Sequence, residues 1–152
     1  MPRINIWPDP SMPRSTSDAE YRLRLLLQDL QTLAAEPEIL VLAYPPFIPA
    51  ADELANEFEF HLGLASICVK EGLISQEMLD RAREVDSKLT EMSDKDDPSL
   101  WTNEDVATRE DWRVVRRLAQ EALTAMGYDL EPPPPWWKTT RIVPVYKRPK
   151  KP

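Results

Sequence analysis

From Asp18 to Met126 the large apolar residues recur at intervals of three and four, and no stretch before residue 139 alternates with period two. Such spacing marks amphipathic helices and leaves no half-buried strand in the body of the chain. Proline sharpens the limit. The 16 prolines gather towards the two ends and around residues 37–49, and each blocks continuation of a helix through it. The chain reads as all-α, a single-domain helical bundle of about four main helices plus short ones. An irregular proline-containing arm (1–17) precedes the helical domain (18–131), and a basic tail rich in proline and tryptophan (132–152) follows it.

Ser17-Asp18-Ala19-Glu20 matches a capping box, and Tyr21, Leu23, Leu26, Leu27, Leu30, Leu33 and Ala34 continue it as one stripe. The first helix is predicted from about Asp18 to Ala35, ahead of Pro37. A short second helix, Glu38–Ala43, is apolar nearly all round and is expected to be buried. Tyr44–Pro49 is expected to be extended, because residues before proline avoid helical angles. A third helix is predicted over Ala51–Glu71, with Leu54, Phe58, Leu62 and Ala65 inward and Gly72 as its stop. Ser75 caps a fourth, from Gln76 to about Met92, with the stripe Leu79, Ala82, Val85, Leu89 and Met92. A polar loop (93–99) and a short turn capped by Thr102 lead to the last helix. That helix carries Trp112, Val115, Leu118, Ala119, Ala122, Leu123 and Met126 and stops at Gly127. Thr139–Tyr146 fits either a short edge strand or an extended arm.

The inventory is poor for catalysis. The chain holds one histidine (His61), one cysteine (Cys68) and three glycines, and no glycine-rich loop of the kind that cradles phosphate. Glu53, Glu57 and His61 fall at i, i+4 and i+8 on one helix face. The Glu-x-x-His spacing of di-metal bundles is absent, and no second histidine completes a zinc site. They read as a solvated row, and Cys68, among apolar neighbours, as a small buried hydrophobe. The expectation is a protein that is not an enzyme and uses no cofactor or metal. A lone cysteine, no long apolar stretch after Arg3 and no unbroken apolar run of membrane-spanning length point to a cytoplasmic setting without membrane insertion.

Charge is divided unevenly. Residues 18–131 carry 25 acidic against 11 basic side chains, a net of −14, whereas residues 132–152 carry six basic side chains and no acidic ones. A strongly acidic body opposes phosphate, so no nucleic-acid partner is expected. Arg109, Arg113, Arg116 and Arg117 are instead expected to pair with carboxylates of neighbouring helices. Pro132–Pro135 favours polyproline II and would deliver Trp136 and Trp137 to a defined place. One of the two packing back on the helices is the simplest outcome; dimer contact and recognition of a partner are the alternatives. Trp101 and Trp112 are assigned to the core, between the last two helices. Asp52, Glu53, Glu57 and Glu59 crowd the start of the third helix, and Asp94, Asp96 and Asp97 crowd the loop after the fourth.

The succession Ala51-Asp52-Glu53-Leu54-Ala55-Asn56-Glu57-Phe58, Glu71-Gly72-Leu73-Ile74-Ser75, Leu89-Thr90-Glu91-Met92-Ser93, Leu100-Trp101-Thr102 and Asp111-Trp112-Arg113-Val114-Val115-Arg116 resembles small helical immunity proteins of bacterial contact-dependent inhibition and related polymorphic toxin systems. The likeness covers roughly residues 18–127. It implies a cytosolic protein that binds and neutralises one cognate toxin domain, often a nuclease or another enzyme with a basic cleft. An acidic surface complements such a cleft, and on this reading Glu53, Glu57, Asp94, Asp96 and Asp97 form part of the partner-binding surface. The runner-up is a helical regulatory or adaptor subunit that docks a partner through its basic Pro/Trp tail.

Overall fold

The Ser17 hydroxyl accepts from the Glu20 amide and the Glu20 carboxylate accepts from the Ser17 amide, each at 3.0 Å. This reciprocal cap starts helix α1, Asp18–Leu33. The computed structural model describes residues 17–135 and 137; the arm, Trp136 and Thr139–Tyr146 lie outside them. After α1 come α2 (Pro37–Val41), α3 (Ala50–Gly63), α4 (Ser66–Lys70) and α5 (Gln76–Asp94). A 3₁₀ turn (Pro98–Leu100), α6 (Asn103–Thr108) and α7 (Glu110–Met126) complete an all-α fold, with no strand among the described residues.

The four long helices close a ring. α1 packs on α3 and α7, and α5 packs on the same two, with the α5–α7 contact the most extensive. The stripes meet at the centre: Leu26, Leu27, Leu30 and Leu33 from α1, Phe58 from α3, Leu79, Val85 and Met92 from α5, and Trp112 and Leu123 from α7 are all fully buried. Two helices stop at a glycine. Gly127 takes φ +80° after α7, and Gly72 takes φ +79° after α4, a left-handed conformation that glycine adopts without a side-chain clash. Asp96 takes φ +53° just past α5; aspartate is among the few other residues that tolerate this region.

Four local expectations change. The third predicted helix is broken into α3 and α4 at Leu64–Ala65, directly after Gly63, the poorest helix former in that stretch. The break lets Ala65 and Cys68 both be fully buried, with the Cys68 thiol donating to the Ala19 carbonyl of α1 at 3.4 Å. α2 buries Leu40 but leaves Ile39 and Leu42 on the surface, because one turn of helix presents only one side to the core. Tyr44–Pro49 bends rather than running straight: the Ile48 amide donates to the Pro45 carbonyl at 2.9 Å, closing a turn over Pro46-Phe47. Of the four arginines, Arg109 does reach a carboxylate of another element, Asp97 at 3.9 Å, but Arg113 pairs with Glu110 and Arg117 with Glu121 along the last helix, at i−3 and i+4 spacings that sequence neighbours satisfy at once.

Arg116 does something else. Residues 29–35 are buried without exception, Asp29, Gln31 and Thr32 among them, so the end of α1 has no water to satisfy its last carbonyls. Arg116 Nε donates to the Ala35 carbonyl at 3.2 Å and Gln120 Nε2 to the Ala34 carbonyl at 3.1 Å. Two side chains of α7 thus cap the buried end of α1.

Trp112 anchors the other side of α7. Its indole N–H donates to the Leu100 carbonyl at 2.6 Å, and Trp101 stands edge-on to it, ring centres 5.6 Å apart. Removing the indole leaves a large cavity and an unpaired carbonyl. Trp112→Ala is expected to lower stability by about 3–5 kcal/mol in denaturant unfolding; an unchanged midpoint would remove Trp112 from the core.

Candidate functional site

Helix α3 has three working faces. Leu54, Phe58 and Leu62 point to the core. Asp52, Ala55, Asn56 and Glu59 face α5, while Glu53, Glu57 and His61 lie on the other side. The carboxylates expected to act together are therefore divided. Asp94, Asp96 and Asp97 join Asp52, Glu59 and Asp86 around a groove of about 390 Å³ between α3, α5 and the turn that follows α5. Glu53 and Glu57 are not part of it.

Six carboxylates and no basic side chain line that groove, with Ala55, Leu89, Pro98 and Trp101 supplying its apolar part. Crowding is visible in the ionisation of Asp86. Partial burial pushes its carboxyl above the ordinary range, and the charge of Glu59 across the groove pushes it further. Asp97 is the exception, held below the ordinary range by the hydroxyl and amide of Ser99, with Arg109 3.9 Å away. Lys95 adds to that effect on Asp97 from a distance, but its ammonium is engaged 3.2 Å from Asp111, which Lys88 also meets at 2.8 Å. The groove is accordingly a concave, negative, solvent-facing surface. Of these six, the sequence marks Asp94, Asp96 and Asp97 as partner-binding; Asp52 and Glu59 stand in its acidic crowd, and Asp86 carries no separate signal.

The opposite face of α3 belongs to a partly buried polar cluster. His61 Nδ1 lies 2.5 Å from Asp29 Oδ2 of α1, and the Tyr44 hydroxyl donates to Glu57 Oε1 at 2.6 Å. Glu57 and His61 are thus engaged with partners from other elements, which the i, i+4, i+8 spacing does not reveal. Among the described residues no group of three or more His, Cys, Asp or Glu is placed to hold a metal ion. Burial raises the Asp29 carboxyl from 3.8 to about 6, outweighing the opposing effect of His61, and nearby Glu57 raises it further. The hydrogen bond to Asp29 is the main reason the His61 imidazole is raised above 6.5; burial and Arg22 oppose it, and the Glu57 charge adds to it. Burial and the bond to Glu57 push the Tyr44 hydroxyl far above its ordinary value, so it stays a donor.

Both members of the Asp29–His61 pair bind protons more tightly in the folded chain than in the unfolded one. The stability they add is complete below 3.8 and is lost as pH rises through about 6 for Asp29 and through the raised value above 6.5 for His61. Wild-type protein is expected to melt at progressively lower temperature as pH rises from about 4 through about 6 and on past 6.5, and Asp29→Asn to flatten that slope. Parallel slopes for the two proteins in thermal melts would show that the pair does not couple folding to protons.

Among the described residues no helix is long and apolar enough to cross a membrane. Comparison with protein-family models, curated proteins and solved structures finds no match to this chain.

Proposed function

We propose that this chain is an immunity protein, without enzymatic activity of its own, that binds and neutralises a cognate bacterial toxin domain in the cytoplasm. The observation that carries the reading is the groove between α3 and α5, where six carboxylates converge without a basic side chain among them. A surface of that kind is complementary to a basic cleft, such as one built to hold the phosphates of a nucleic acid. Long-range attraction would speed the encounter, and like-charge repulsion would reject acidic partners. The resemblance of residues 18–127 to helical immunity proteins supports the same reading. Glu53, on the opposite face of α3, lies outside this groove, and Glu57, already bonded to Tyr44, is assigned to the fold.

The adaptor reading has a specific observation against it. The Trp137 indole N–H donates to the Leu42 carbonyl at 2.9 Å, so the start of the basic tail is tied to its own body.

Growth protection tests the proposal. The C-terminal domain of the protein encoded beside this one is induced with and without this chain; rescue and a salt-sensitive complex are the expected results. Reversal of Asp52, Glu59 and Asp94 to Lys is expected to weaken the complex at least about tenfold while leaving the melting temperature near wild type, since all three are surface residues. Asp96→Gly removes one charge at a backbone position that glycine suits. Toxicity without rescue would sink the immunity reading, and unchanged affinity in the triple variant would remove the groove from it.

A further inference from the structure

After α7 the chain is led across the bundle towards α2. Tyr128 is buried, and Gln31 Nε2 of α1 donates to the Asp129 carbonyl at 2.8 Å. Residues 131–135 contain four consecutive prolines and continue without regular secondary structure to Trp137, whose indole N–H caps the Leu42 carbonyl at the C-terminal end of α2. The chain is therefore brought to one of the places where the body leaves apolar side chains uncovered; Tyr21 on α1 and Phe60 and Leu64 at the end of α3 are exposed elsewhere. Ile39 and Leu42, three apart and on the same face of α2, are each 42% exposed, and Phe47 in the following turn is 83% exposed. Each long helix buries its main apolar stripe.

We infer that the segment 138–146 (KTTRIVPVY) docks on this face, covering Ile39, Leu42 and Phe47 with Ile142, Val143, Val145 and Tyr146. The reach is ample: five residues from Trp137 to Ile142 span up to about 17 Å when extended, and α2 is a single turn of about 8 Å. The composition fits as well. Four large apolar residues stand within five positions, in the part of the chain that follows Trp137 directly, and burying them against Ile39 and Phe47 removes apolar area of both from water. Charge agrees with shape. Glu36 and Glu38 flank α2, are exposed, and form no ion pair among the described residues, while Lys138 and Arg141 begin the docking segment. The tail thereby straps the α2 connection to the end of α7. This inference is independent of the proposed toxin binding, whose groove lies elsewhere, between α3 and α5.

Amide hydrogen exchange on the full chain tests it, with sedimentation to fix the oligomeric state. In a monomeric wild type, amides 139–146 are expected to exchange at least about tenfold more slowly than an unstructured chain. Ile142→Asp with Val145→Asp should abolish that protection without altering α5 or α7. Ile39→Asp with Leu42→Asp, on the receiving side, should release the same amides, since both residues are already partly exposed. Unprotected tail amides in the wild type would overturn the inference. Protection that survives both pairs would overturn it too, and protection that appears only with dimerisation would make a second copy the occupant instead.

Discussion

The complete burial of the last two turns of α1 sets the terms for the rest of the bundle. Residues 29–35 include an aspartate, a glutamine and a threonine as well as the open carbonyl end of a helix. Polar groups taken out of water without partners cost more than most single contacts return. Three neighbours of α1 therefore contribute partners, which leave only Gln31 Oε1 unmet among the buried side-chain atoms described. α3 supplies His61 to Asp29, α7 supplies Arg116 and Gln120 to the terminal carbonyls, and the chain after α7 supplies the Asp129 carbonyl to Gln31. These bonds come from elements far apart in sequence, and together they fix the packing of α3 and α7 against α1.

The acidic groove is a consequence of that arrangement. Once His61 and Glu57 are turned towards α1 and Tyr44, the face of α3 carrying Asp52 and Glu59 is turned towards α5. Asp86 on α5 then meets Glu59, and the turn beyond α5 brings Asp94 and Asp96 to the same rim. Like charges held together in this way oppose their own proximity. The hydrophobic seam between the helices, not any pairing within the groove, keeps them there. A basic partner would relieve that repulsion, which is the physical content of the functional proposal.

Much of the fold was legible because each long helix announces itself locally. The predicted stripe of α5, Leu79 to Met92, is the set of residues that α5 buries, and Ser17, Ser75 and Thr102 all accept the cap bonds that their positions suggest. Legibility failed where local and distant demands part. Ile39 and Leu42 look like core residues in sequence, yet a helix of one turn buries only Leu40. Asp29 sits among leucines as any surface aspartate would, with nothing nearby to mark its partner 32 residues away. The candidate site was half visible: acidic residues at 52–59 and 94–97 stood out as groups, but their division between two faces of α3 did not.

The sequence by itself determined that this chain is helical, where its main helices begin, and that its body is acidic beside a basic tail. Those properties rest on apolar periodicity, capping residues and charge counts, all of which act over a few positions or over none. Only the tertiary structure decided that Asp29 is buried against His61, that Arg116 caps α1 instead of meeting a carboxylate, and that six carboxylates share one groove. Such pairings depend on which helix faces meet, and that choice is made by the fit of whole side-chain surfaces across the core.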